Sequence, residues 1–160
     1  MNQSKFNIPF NLSLPTEVRF VPQGAQNVLE EVKSKGIKNV AVIVDSGTKE
    51  QPLIKNFLND LDGILKVDRL VSYNGGEPTY NLLEQIRSQF KDDSPSGVFA
   101  IGGGSTMDIG KAIAVLLANS GPAIKYRGFN DPTLESLPIV TVPTVAGTGS
   151  EITPNASFVD

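Results

Sequence analysis

The stretch Val98-Phe99-Ala100-Ile101-Gly102-Gly103-Gly104-Ser105-Thr106-Met107-Asp108-Ile109-Gly110-Lys111 constrains this chain more than any other. Its apolar start has the pattern of a strand buried on both faces. Three glycines then strip the turn of side chains, and residues 112–118 continue as an apolar helix. Ser105 or Thr106 is placed to cap that helix with Asp108 in its first turn, since S-x-x-D has capping-box-like spacing. Strand, glycine turn and helix start aim unpaired N–H groups and a positive dipole end at one point, which suits a phosphate. The common phosphate patterns fail here. G-x-G-x-x-G counted from Gly102 needs glycine at Met107, and G-x-x-x-x-G-K-[ST] ending at Gly110-Lys111 needs glycine at Ser105 and a hydroxyl at Ala112. A tight turn without a ligand is the alternative.

The rest of the chain alternates strand and helix patterns. Residues 1–15 are polar and broken by Pro9 and Pro15, as in an N-terminal arm. Residues 16–21 alternate like a strand near an edge, closed by Pro22. Residues 23–35 predict an amphipathic helix stopped by Gly36, and Asn39-Val40-Ala41-Val42-Ile43-Val44-Asp45 a buried strand ending on a carboxylate. A helix is expected over 46–61, with Pro52 tolerated only in its first turn, then a strand within 64–73 and a helix over 79–91. A strand over 137–142 feeds a second small-residue loop at 143–151. This order implies an α/β fold, a Rossmann-like parallel sheet with helices on both faces, formed by residues 16–160. Ligands in such sheets sit outside the carboxyl ends of the strands, where Asp45 and both small-residue loops emerge.

Composition narrows the chemistry. The 160 residues, 39% apolar, suffice for one cored domain, and a net charge of −3 without a basic stripe argues against nucleic acid. The chain has no cysteine and no histidine, which removes thiolate chemistry, the commonest metal ligand and the commonest general base. No serine can then belong to a Ser-His-Asp triad. The N-terminus lacks the apolar core of a signal peptide and the longest apolar run is far short of a membrane span, so a cytoplasmic location is the expectation.

Together the two loops resemble a known family. Gly102-Gly103-Gly104-Ser105-Thr106-Met107-Asp108-Ile109-Gly110-Lys111 is similar to the G-G-G-S-x-x-D-x-x-K signature of the iron-dependent (group III) alcohol dehydrogenases. Pro143-Thr144-Val145-Ala146-Gly147-Thr148-Gly149-Ser150-Glu151 is similar to their P-T-x-A-G-T-G-S-E signature. The resemblance runs from about Thr16 to Asp160 and covers the family's N-terminal dinucleotide-binding domain. It implies an NAD(P)-dependent oxidoreductase of small alcohols or aldehydes, with NAD favoured and NADP open. The family's second, helical domain supplies an aspartate and three histidines for Fe²⁺ or Zn²⁺; none of these falls in this chain, so no catalytic or metal residue is assigned. A homodimer is left open.

The resemblance also assigns cofactor residues. Asp45 matches the acidic residue that accepts from the adenosine ribose, and Gly103, Gly104, Ser105 and Thr106 match the pyrophosphate turn. Thr144 and Thr148 match the loop that holds the nicotinamide half, Asn155 matches a further cofactor contact, and Pro78 falls on the adenine side. Each has a plainer reading. Asp45 can cap a helix, the hydroxyls can satisfy their own loop, and Asp108 is structural, bound to N–H groups of its own loop. Lys111 either reaches a phosphate or snorkels. Helix 112–118, apolar nearly all round, needs cover on more than one side, part of it from the family's second domain. The competing functions are a glycerol-dehydrogenase-like or dehydroquinate-synthase-like enzyme of the same fold, or a free-standing nucleotide-binding module. Sequence beyond Asp160 separates the last of these from the rest.

Overall fold

Two buried strands with apolar residues on both faces form the middle of the molecule. In the computed structural model, which describes residues 16–21, 24–90, 94–128 and 132–160, these are β1 (Asn39–Asp45) and β3 (Gly97–Gly102). β2 (Lys66–Tyr73) flanks β1 and β4 (Ile139–Pro143) flanks β3, giving a four-stranded sheet of order β2-β1-β3-β4. All three pairings are parallel. Side chains alternate through the sheet, so Val40, Val42 and Val44 enter one layer and Ala41 and Ile43 the other.

Helices cover both faces, as the alternation of patterns implied. α1 (Gln26–Ser34) and α3 (Pro52–Ile64) bury Leu29, Ile54 and Leu61 against Phe99, Ile101 and the β1 valines. On the opposite face, α4 (Tyr80–Ser88) and α5 (Gly104–Ala118) pack Leu83, Ile86, Ile109 and Ile113 against Ala41, Ile43 and Val98. No residue of α5 is fully exposed. Its cover comes from the sheet, α4, the 3-10 turn Ala123–Tyr126, Leu137 and Phe158.

The structure departs from the sequence reading at several places. Residues 16–21 form no strand: Val18 and Phe20 are 71% and 90% exposed. An alternating segment becomes a strand only beside a partner edge, and this one is tethered through side chains. Thr16 Oγ1 donates to the Ile152 carbonyl, and Arg19 and Lys35 pair with Glu17 and Glu31. The helix expected over 46–61 is broken into α2 (Ser46–Lys49) and α3. Pro52 starts α3, and the residue before it, Gln51, is driven to φ −65°, ψ 137°, outside the helical region. α4 ends at Ser88, short of the expected 91, and the proposed arm over 1–15 lies outside the described residues.

Candidate functional site

Strand order fixes where a crevice opens. The chain leaves β1 to one side to make β2, then crosses to the other side to make β3, so the connections diverge between β1 and β3. Ligand crevices in open parallel sheets lie at such switch points, beyond the carboxyl ends. Register brings four termini to that edge: Asp45 opposite Tyr73, Gly102 opposite Pro143, and Val44 paired with Ile101 where β1 and β3 join.

Gly103 is the N-cap of α5, in extended conformation, and no side chain caps the helix. The expectation that Ser105 or Thr106 caps it is therefore wrong. The helix begins at Gly104, two to three residues earlier than a hydroxyl cap at Ser105 or Thr106 would start it. The N–H groups of Gly104, Ser105 and Thr106 consequently have no intrahelical acceptor. The glycines divide by role. A Cβ on Gly102 would stand 2.7 Å from Thr106 Cβ and 2.9 Å from Asp45 Cβ, and one on Gly110 would stand 2.4 Å from Ala100 Cβ. Those two are needed for packing. A Cβ on Gly103 would meet only Val145, at 3.8 Å, and one on Gly104 only Thr148, at 3.4 Å. The fold tolerates side chains there, so their absence leaves bare backbone facing the crevice.

Asp45 caps α2, its Oδ1 accepting from the Thr48 N–H at 3.0 Å. Among the described residues its second oxygen takes no hydrogen bond, so capping and ligand contact do not exclude each other. Ser105 is half-buried, within hydrogen-bonding reach of the Tyr73 phenol, whereas Thr106 is buried under Gly102 and offers only its N–H. Tyr73 was not picked out from sequence; as the last residue of β2, opposite Asp45, it belongs to the same edge. It donates to the Gly76 carbonyl at 2.6 Å. Burial, then the Asp45 charge, push its pKa above the usual phenol value, partly offset by the Ser105 hydrogen bond.

β4 carries the second loop to the other wall of the crevice. The Thr144 N–H donates to the Gly102 carbonyl at 3.0 Å, and Thr144 Oγ1 is buried without a hydrogen-bond partner. Thr148 sits over Gly104, but its hydroxyl already serves the loop, donating to Glu151 Oε2 and accepting from the Ser150 N–H. Asn155 does not join this group. Its carbonyl accepts from Lys111, about two helical turns along α5 from Gly104. Pro78 is buried, its carbonyl taken by the Val159 N–H.

Asp108 and Lys111 also settle differently from the sequence reading. With α5 starting at Gly104, Asp108 falls in the second turn, beyond reach of the loop N–H groups it was expected to bind. It accepts instead from Ser150 Oγ and from the Ser157 N–H. Lys111 neither reaches toward the turn nor snorkels: its ammonium is bound to Asp108, Ser150 and the Asn155 carbonyl.

Known proteins match this arrangement. The family model for iron-containing alcohol dehydrogenases matches residues 15–160. The chain belongs to that family. Choline dehydrogenase of Bacillus subtilis is 30% identical to it over 154 residues, 92% of this chain and 37% of that protein. NAD-dependent methanol dehydrogenase of Bacillus methanolicus is 41% identical over 71 residues, 44% of this chain and 19% of that protein. Among solved structures, NADH-dependent butanol dehydrogenase A of Thermotoga maritima superposes with a TM-score of 0.83 at 24% identity, over 95% of this chain and 38% of that one. The last likeness establishes the fold. The chain thus spans less than half the length of these relatives. Among the described residues no helix is long and apolar enough to cross a membrane.

Proposed function

We propose that this chain is the dinucleotide-binding part of an alcohol dehydrogenase that moves a hydride between NAD and a small alcohol or aldehyde. The observation that carries this reading is the pairing of two walls: bare backbone at Gly103 and Gly104 on one, the unpartnered Thr144 hydroxyl on the other. A dinucleotide answers both. Its pyrophosphate accepts from the N–H groups of Gly104, Ser105 and Thr106 at the positive end of α5. Its nicotinamide carboxamide supplies the acceptor that Thr144 Oγ1 lacks. The free oxygen of Asp45 accepts from a ribose hydroxyl, and its charge repels a 2′-phosphate, which favours NAD over NADP. Both oxygens of Asp45 are then used, one on α2 and one on the ribose. The name of the B. methanolicus relative agrees with this preference.

The cofactor supplies the hydride chemistry, while the chain's residues bind and orient it. Among the described residues no three His, Cys, Asp or Glu side chains gather into a metal site, so the residues present here do not fit the metal for which the family is named. The family match and the G-S-x-x-D wording at Gly104-Ser105-Thr106-Met107-Asp108 favour an alcohol dehydrogenase over the glycerol-dehydrogenase-like and dehydroquinate-synthase-like readings. Calorimetric titration with NAD and NADP tests the proposal. NAD binds more tightly on this account; tighter NADP binding overturns the role given to Asp45, and binding of neither overturns the function.

A further inference from the structure

The loop that carries Thr144 and Thr148 is held at its start by the Gly102 carbonyl and within itself only around Thr148 and Gly149. Val145, Ala146, Gly147 and Thr148 are exposed, and Gly147 and Gly149 take φ of 90° and 70°. Such a segment opens readily unless something outside it fixes it. The fixture is on α5. Lys111 Nζ lies 2.7 Å from the Asn155 carbonyl, 3.0 Å from Ser150 Oγ and 3.2 Å from Asp108 Oδ1. An ammonium has three protons, and these three acceptors take them. Thr153 Oγ1 stands farther out at 3.5 Å. Asp108 completes the ring by accepting from Ser150 Oγ and, at 3.0 Å, from the Ser157 N–H.

Both side chains are largely shielded, 11% exposed for Lys111 and 16% for Asp108. A solvent-exposed pair fixes little, whereas a shielded one with its hydrogen bonds filled holds a single arrangement. We propose that Asp108 and Lys111 are positioning residues: their ion pair clamps residues 150–157 onto α5 and so holds the nicotinamide-side loop in place over the glycine turn. Neither touches the cofactor. Lys111 projects about two turns from the phosphate end of α5, its charge neutralised by Asp108 and its protons spent on the loop. The inference rests on the dinucleotide reading above for its consequence in binding, while the clamp itself is a property of the unliganded chain.

Lys111→Met and Lys111→Arg, with Asp108→Asn as the milder partner, separate the possibilities. In hydrogen exchange on the unliganded chain, amides of residues 150–157 exchange about tenfold faster in Lys111→Met, while β1 and β3 amides keep their protection. In titrations, Lys111→Met weakens NAD about tenfold, a modest coupling between sites, but leaves ADP, which lacks the nicotinamide half, within about twofold. Lys111→Arg, which keeps charge and donors, recovers most of the NAD affinity. Equal losses for ADP and NAD mean that Lys111 reaches the phosphates directly, and overturn the proposal. Unchanged exchange over 150–157 overturns it as well. If the unmodified chain binds neither nucleotide, the dinucleotide reading fails, and the exchange result alone decides the clamp. Should Lys111→Met not fold, Asp108→Asn gives the same contrast: it removes the charge facing Lys111, and its one amide oxygen replaces only one of the two carboxylate oxygens that Ser150 and Ser157 use.

Discussion

Three glycines of one strand–helix unit have opposite consequences when substituted. Gly110→Ala places a methyl 2.4 Å from Ala100 Cβ, an overlap that costs about 1–3 kcal/mol and outweighs the ~1 kcal/mol that alanine gains over glycine in a helix. Gly102→Ala is harmful for the same reason, meeting Thr106 and Asp45. Gly104→Val instead points a side chain at Thr148 and the crevice. It keeps the cooperative urea transition and weakens NAD about tenfold or more, a loss of at least roughly 1.4 kcal/mol. Paired denaturation and titration curves check both halves of that contrast. Asp45→Asn retains an oxygen for the Thr48 N–H but loses the charge, so the ratio of NADP to NAD affinity rises; an unchanged ratio removes Asp45 from cofactor choice. Tyr73 gives a pH signature. Its pKa is raised in the folded chain, so its stabilising contribution is complete below the ordinary phenol value and is lost as pH climbs through the folded one. Tyr73→Phe flattens that alkaline fall in stability, as a series of denaturation curves from pH 8 to about 11 shows.

Elements stand where local chemistry and the sheet agree. Thr79 caps α4, its Oγ1 accepting from the Leu82 N–H at 3.1 Å, and Thr79→Ala costs about 1 kcal/mol in urea denaturation. The central strands and their helices were legible in the sequence because apolar runs such as 40–44 and 98–101 bury both faces and leave no choice of side. β1 starts and ends where its run does, from Asn39 to Asp45. Legibility failed where a neighbour decides. Residues 16–21 have strand-like alternation but no adjacent edge, and Pro52 both ended one helix and opened the next. The site was half legible. Asp45 and the glycine turn announce themselves through motif and strand end, and the structure places Thr144 and Thr148 across from them. The partners of Asp108 and Lys111 lie about forty residues downstream, and no local spacing reveals contacts at that separation.

At the scale of the molecule, the connections diverge between β1 and β3, the kind of switch point at which parallel sheets take ligands, and the two small-residue loops follow β3 and β4 at that edge. Binding and turnover should separate in this chain. It has no histidine and no cysteine to hold Fe²⁺ or Zn²⁺, so an NAD reduction assay with short alcohols and either metal gives no rate above blank. The central claim is that a dinucleotide lies across the switch point with its pyrophosphate on the start of α5. Amide chemical shifts of the ¹⁵N-labelled chain, followed while NAD is added, test this most directly. The account predicts saturating shifts that are largest at Gly103, Gly104, Ser105 and Thr106, with Thr144 responding across the crevice. Saturating shifts centred elsewhere, with the amides of 103–106 unmoved, contradict it.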